Sequence, residues 1–236
     1  MRTRFNLTDY LAMRKLSILI LFVPFILCQL TLADVIGVRG LALERNPAMP
    51  ERYVKVKGGH EFVHFLSSQP VVLIKAIVET DLFLYEKKLN DKGEEIYVIA
   101  ETIKLPAGAR GVLVIGWKGK EKFEYLAIKD HFSDAKYNDW LMINTTSKPL
   151  AIQVGKKKKP FTLKPKRETV CKIDSPEEVG AAVLGLVKLE GEVKTFYSTY
   201  WPIRKGERSI LVFVEKGDRI ITRKISDSLF KPKVEE

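Results

Sequence analysis

Apolar and polar residues alternate through most of this chain, and turn residues punctuate the alternation at short intervals. The clearest stretch is Asp139 to Ile173. Trp140 and Met142 alternate with Leu141 and Ile143, and a turn-like run from Asn144 to Pro149 follows. Leu150, Ile152 and Val154 then recur at every second position. Gly155 and four lysines lead into Phe161 and Leu163, and Thr169, Cys171 and Ile173 complete the set. Period two between turn signals predicts half-buried antiparallel strands.

The same reading extends to both sides. Before residue 130 it predicts short strands from Tyr53, from Phe62, over Val71 to Val78 with both faces buried, and from Leu82. Further strands follow from Ile96, Gly111 and Phe123. Gly58-Gly59, Asn90 to Gly93 and Pro106 to Gly108 serve as turns. Beyond residue 180 it predicts strands from about Ala182, through Thr195 to Trp201, from Ile210 and from Ile220. Ser175 to Glu178 fits an N-cap, a proline at the first helical position and a capping glutamate, which allows one helical turn at 176–180. Roughly fifteen short strands predict an all-β chain, an antiparallel immunoglobulin-like β-sandwich that is either enlarged or built as two packed β units. The expected units are 51–132 and 138–226, preceded by an extended arm at 34–50 and followed by a tail at 227–236. Val35 to Leu43 is apolar enough for part of the arm to pair as an edge strand.

The order Asn144, Leu150 to Val154 and Leu163 to Pro165, followed by Thr195 to Ser198, Trp201 and Arg208 to Phe213, carries a resemblance. Over about residues 109–225 the chain resembles an uncharacterised group of exported bacterial β-sandwich proteins of verrucomicrobial type. The resemblance implies a sandwich fold and export; the group has no activity to transfer.

Residues 1–33 change the picture of location. Arg2, Arg4, Arg14 and Lys15 precede an apolar run from Leu16 to Cys28, and Thr31 to Ala33 offers a signal-peptidase site. Export to the periplasm or cell envelope, with cleavage after Ala33, is the expectation, and a retained signal anchor is the alternative. The run falls short of the ~20 residues that span a bilayer. No transmembrane span is expected after cleavage. A lipid anchor on Cys28 would need a small residue where Leu27 stands. Removing four basic and one acidic residue from 40 and 29 leaves 36 against 28, a formal charge of +8. That excess suits an anionic envelope polymer, a lipid head group or another envelope protein as partner, and no nucleic acid is expected.

Candidate chemistry is sparse. His60 and His64 would share one face of a strand about 13 Å apart, too far to hold one metal. His131 lies beside Asp130 with Ser133 and Asp134 near, but no Gly-x-Ser-x-Gly elbow presents a nucleophile. Cys171, the thiol left after cleavage, shares a phase with Thr169 and Ile173 and reads as a small core residue rather than a nucleophile. Gly111 to Gly119 lacks the Lys-Ser/Thr of a phosphate loop. No catalytic, cofactor-binding or metal residue is therefore assigned, and no cofactor is expected. Lys156, Lys157, Lys158 and Lys159 form the one dense charge cluster, a hairpin tip that would contact an anionic surface or simply keep an edge solvated. Tyr197, Tyr200 and Trp201 would serve a carbohydrate-binding module if exposed, and the core if not. The readings carried forward are a non-enzymatic binding or assembly protein of the envelope, a carbohydrate-binding module, and a hydrolase using His131 or Cys171.

Overall fold

The structure is a computed structural model that describes residues 34–44, 49–70, 73–119, 121–130, 139–156, 158–172, 180–189, 191–202 and 207–228. The expected signal segment, the helical turn ahead of Gly180, His131, Lys157 and the last residues of the tail lie outside the described residues.

All described elements are strands. The first eight are β1 (Asp34–Ala42), β2 (Tyr53–Val56), β3 (Gly59–Phe62), β4 (Ile74–Val78), β5 (Asp81–Leu89), β6 (Glu95–Lys104), β7 (Gly111–Lys118) and β8 (Phe123–Lys129). The second eight are β9 (Asp139–Asn144), β10 (Leu150–Val154), β11 (Phe161–Leu163), β12 (Arg167–Lys172), β13 (Gly180–Leu189), β14 (Glu192–Pro202), β15 (Glu207–Lys216) and β16 (Arg219–Ser228). They form four sheets, ordered β4-β1-β7-β8, β3-β2-β5-β6, β12-β9-β15-β16 and β11-β10-β13-β14. Raising every strand number of the first two sheets by eight gives the last two. The chain is thus a tandem repeat of one sandwich plan.

Three cores order the sheets into layers. Val38, Val54, Ala76, Leu84 and Val112 join β3-β2-β5-β6 to β4-β1-β7-β8. Met142, Ile152, Val183 and Phe213 join the corresponding sheets of the second repeat. A third core, with Leu41, Leu113 and Ile128 from the first repeat and Leu141, Ile143, Ile210 and Ile225 from the second, joins β4-β1-β7-β8 to β12-β9-β15-β16. These two sheets are therefore inner layers, covered on both faces. Period two explains how one strand serves two cores: Val112 and Val114 face one, and Leu113 and Ile115 the other.

Several expectations change in consequence. β9 is buried at all six positions rather than half-buried, because Trp140 and Met142 enter the second core while Leu141 and Ile143 enter the shared one. It also pairs in parallel with β15, as β1 does with β7. The arm at 34–50 holds an interior strand, since β1 lies between β4 and β7. Of the run predicted over Val71 to Val78, Ile74–Val78 forms β4, an edge strand with Lys75 exposed rather than a strand covered on both faces. Within each repeat the second and fifth strands pair, as in a constant-type immunoglobulin sandwich. The first strand instead pairs in parallel with the seventh.

Parallel and antiparallel registers align the repeats residue by residue. Leu113, Val114 and Ile115 correspond to Ile210, Leu211 and Val212, and Val38, Gly40 and Leu41 to Trp140, Met142 and Ile143. Facing positions keep their partition between cores. Their side chains otherwise differ. Arg39 stands where the second repeat has Leu141, and Gly111 where it has Arg208.

At that end of the shared layer four charges are buried together. Arg39 donates to both carboxylate oxygens of Asp130 at 2.6 and 3.1 Å and to both of Asp227 at 3.0 Å. Arg208 bonds Asp227 and reaches Asp130 at 3.2 Å. Two positive and two negative groups offset one another, which is the condition for burying charge. Burial alone pushes the Asp130 carboxyl up, but the bonds and charges of Arg39 and Arg208 together hold it below the ordinary range.

Candidate functional site

Among the described residues, those singled out for catalysis or metal binding do not come together. Among the described residues no group of three His, Cys, Asp or Glu side chains is placed to hold a metal ion. Cys171 pairs in register with Trp140 and packs partly buried against the second core. Trp201 is 4% exposed in that core, in edge contact with Trp140 at 4.4 Å. Its indole N–H donates to the Tyr197 hydroxyl at 2.7 Å. Burial raises the Tyr197 pKa above the usual phenol value, although its bonds to Trp201 and Thr199 act the other way. Tyr200 points to solvent alone of the three, so they form no platform. Asn144 is a structural tie: its amide donates to the carbonyls of Lys148 and Leu163, and its oxygen accepts from the Thr146 amide and hydroxyl.

The lysine tip joins β10 to β11, with Lys156, Lys158 and Lys159 exposed. Gly155 takes the left-handed conformation there at φ 89°. The Gln153 amide braces the turn by donating to the carbonyls of Gly155 and Lys156.

An aromatic cluster lies elsewhere, on the solvent face of β3-β2-β5-β6. Val54, Leu82 and Leu84 point into the first core, so alternation turns Tyr53 outward. The same alternation turns Tyr85 outward next to Leu84, opposite Ile99, and a bulge on β6, where Ala100 is the extra residue, puts Ile99 and Tyr97 on the outer face. His60 and Phe62 follow on β3 and Tyr97 on β6. His60 stacks on Tyr97 at 4.1 Å with an interplanar angle of 13°, and meets the edge of Tyr85 at 4.6 Å. Tyr53 contacts Phe62 at 5.5 Å and Tyr97 at 5.2 Å. His64 closes the edge against Phe62 at 4.6 Å.

Polar groups rim these rings. The Lys87 ammonium lies about 6 Å from the Tyr53 and Tyr97 ring centres and 3.0 Å from Glu95. The Tyr53 hydroxyl donates to Glu51 at 3.0 Å, a bond that holds its pKa above the usual phenol value. Burial among the rings lowers the His60 pKa, with the Lys55 charge acting in the same sense. His60 is therefore neutral at neutral pH. Half-buried rings with charged and hydroxyl groups at their border offer a ligand both apolar faces and hydrogen-bond partners.

Sequence reasoning placed His60 and His64 on a strand and read them as structural or surface residues, not metal ligands, and it overlooked the rings around them. The available signal was the outward phase: His60, Phe62 and His64 in one strand region, with Tyr53 and Tyr85 on the phase opposite the core residues of theirs. Comparison with protein-family profiles and with curated proteins finds no match for this chain.

Proposed function

We propose that this chain is an exported, non-enzymatic β-sandwich protein of the cell envelope. It binds an envelope glycan through the ring cluster of its first repeat. The observation that carries the reading is the chain of five contacting rings, Phe62, Tyr53, Tyr97, His60 and Tyr85, on the solvent face of an outer sheet. A sandwich core is served by its inner faces, so rings gathered on the outer face are not required for folding. Sugar rings present apolar C–H faces that stack on aromatic side chains, and their hydroxyls suit Lys87, Glu95 and Glu51 at the rim. The rings meet at steep angles, 73° between Tyr53 and Tyr97 and 70° between His60 and Tyr85. That relief suits a few residues of a flexible glycan chain better than a flat crystalline surface.

The lysine tip is a second contact, for an anionic envelope polymer or lipid head group, favoured by the exposure of Lys156, Lys158 and Lys159. The composition of residues 1–33 supports export, and a mature N-terminus at Asp34 in mass spectrometry of expressing cells is the expected result. The binding test is calorimetric titration with solubilised envelope polysaccharide. The Tyr53→Ala/Tyr97→Ala double variant is expected to weaken binding at least about tenfold, or ~1.4 kcal/mol. Unchanged affinity in a folded double variant would remove the ring cluster from the account.

A further inference from the structure

One cation borders the ring cluster of the first repeat without a carboxylate beside it. On β2, Val54 points into the first core, so alternation places Lys55 on the solvent face with Tyr53. Lys55 is exposed and stands in register opposite His60 on β3. Directly opposed residues of an antiparallel pair hold their Cβ atoms about 5 Å apart. The Lys55 charge therefore reaches the imidazole, where burial first and that charge second keep the ring neutral.

The other charged groups at the rim are engaged. Lys87 pairs with Glu95 at 3.0 Å, and Glu51 accepts from the Tyr53 hydroxyl at 3.0 Å. On the opposite phase of β5, Glu86 is shared between Lys88 at 2.7 Å and Arg52 at 3.6 Å. Among the described residues Lys55 makes no ion pair or hydrogen bond, and neither ring nitrogen of His60 has a hydrogen-bond partner. A neutral imidazole offers one N–H and an ammonium three. Cross-strand donors of this kind, one of them cationic, suit a carboxylate.

We infer that the glycan held by the ring cluster is acidic: a uronic acid residue lies with its C–H face on the rings and its carboxylate against Lys55 and His60. This rests on the glycan reading above and adds the ligand's charge to it. A neutral sugar would take nothing from the Lys55 charge. A polymer of phosphates and open-chain alditols would bring charge without a pyranose face to stack. A uronic acid joins both on one residue. Glu51, at the Tyr53 hydroxyl, repels a carboxylate, so the acid group is set toward Lys55.

The test is calorimetric titration of the purified protein at low salt with solubilised envelope polysaccharide, native and after carbodiimide–borohydride reduction of its carboxyls. Reduction turns uronic acids into neutral hexoses and keeps their rings. It is expected to weaken binding about fivefold, the scale of one exposed ion pair. Lys55→Gln, an exposed substitution that leaves the fold intact, is expected to bind both forms alike, and Tyr97→Ala to weaken both. Lys158→Gln/Lys159→Gln, at the distant lysine tip, is expected to keep the preference for the native form. The inference alone is overturned if reduction leaves wild-type affinity unchanged, if Lys55→Gln keeps the preference, or if the tip variant loses it. Absence of binding by either form overturns the glycan reading, and this inference with it.

Discussion

In the first repeat the outer sheet turns five contacting rings to solvent. In the second, the equivalent face carries Ala151, Gln153, Leu184 and Leu186, and the contacting rings, Trp140 with Trp201 and Phe196 with Phe213, involve the core. The inner layers diverge in a different way. Arg39 and Arg208 occupy places where the other repeat has Leu141 and Gly111, yet Asp130 and Asp227 are equivalent. Packing constrains which residues of an inner face are apolar, whereas an outer face is free to acquire binding chemistry once a stable plan has been doubled.

Making the repeats alike, or removing what joins them, tests that comparison. The largest effect is expected from Asp227→Asn, which removes one of the carboxylates that the buried Arg39 and Arg208 share. A loss of about 3–5 kcal/mol in urea unfolding is expected. Acid titration of the wild type sharpens this result. The folded Asp130 carboxyl titrates below its ordinary value of 3.8, so its contribution is complete above that pH and is lost as pH falls through the folded value. Arg39→Leu, which copies the second repeat, should lessen the depression and flatten that acid slope.

Leu141→Ala is expected to cost about 2–5 kcal/mol, because its side chain fills the core that both repeats share. Asn144→Ala should cost about 1–3 kcal/mol by removing a donor to the carbonyls of Lys148 and Leu163 and the acceptor of the Thr146 amide. The first repeat holds Ala42 at the equivalent place. Tyr200→Ala, on the exposed face of the second repeat, should stay within about 0.5 kcal/mol.

The strands and the all-β class were legible because period two and glycine turns are local signals; Gly93, Gly155 and Gly217 each take positive φ at hairpin turns. The doubling was hidden, since equivalent positions such as Leu113 and Ile210 share only hydrophobicity, and Glu124 and Ile221 not even that. The place of β1 inside a sheet depends on its parallel pairing with β7, a contact across distant sequence that alternation cannot express. The ring cluster escaped notice for the same reason. Tyr53, Phe62 and Tyr97 become neighbours through register across three strand pairs, and the bulge at Ala100 on β6 reverses the phase of Tyr97.

The glycan reading is tested most directly by amide chemical shifts of the isotopically labelled protein during titration with solubilised envelope polysaccharide. Shifts concentrated at Tyr53, His60, Phe62, Tyr85 and Tyr97, with the equivalent face of β10, β13 and β14 unmoved, are the predicted result. Shifts confined to the second repeat, or none at saturating polysaccharide, would contradict it.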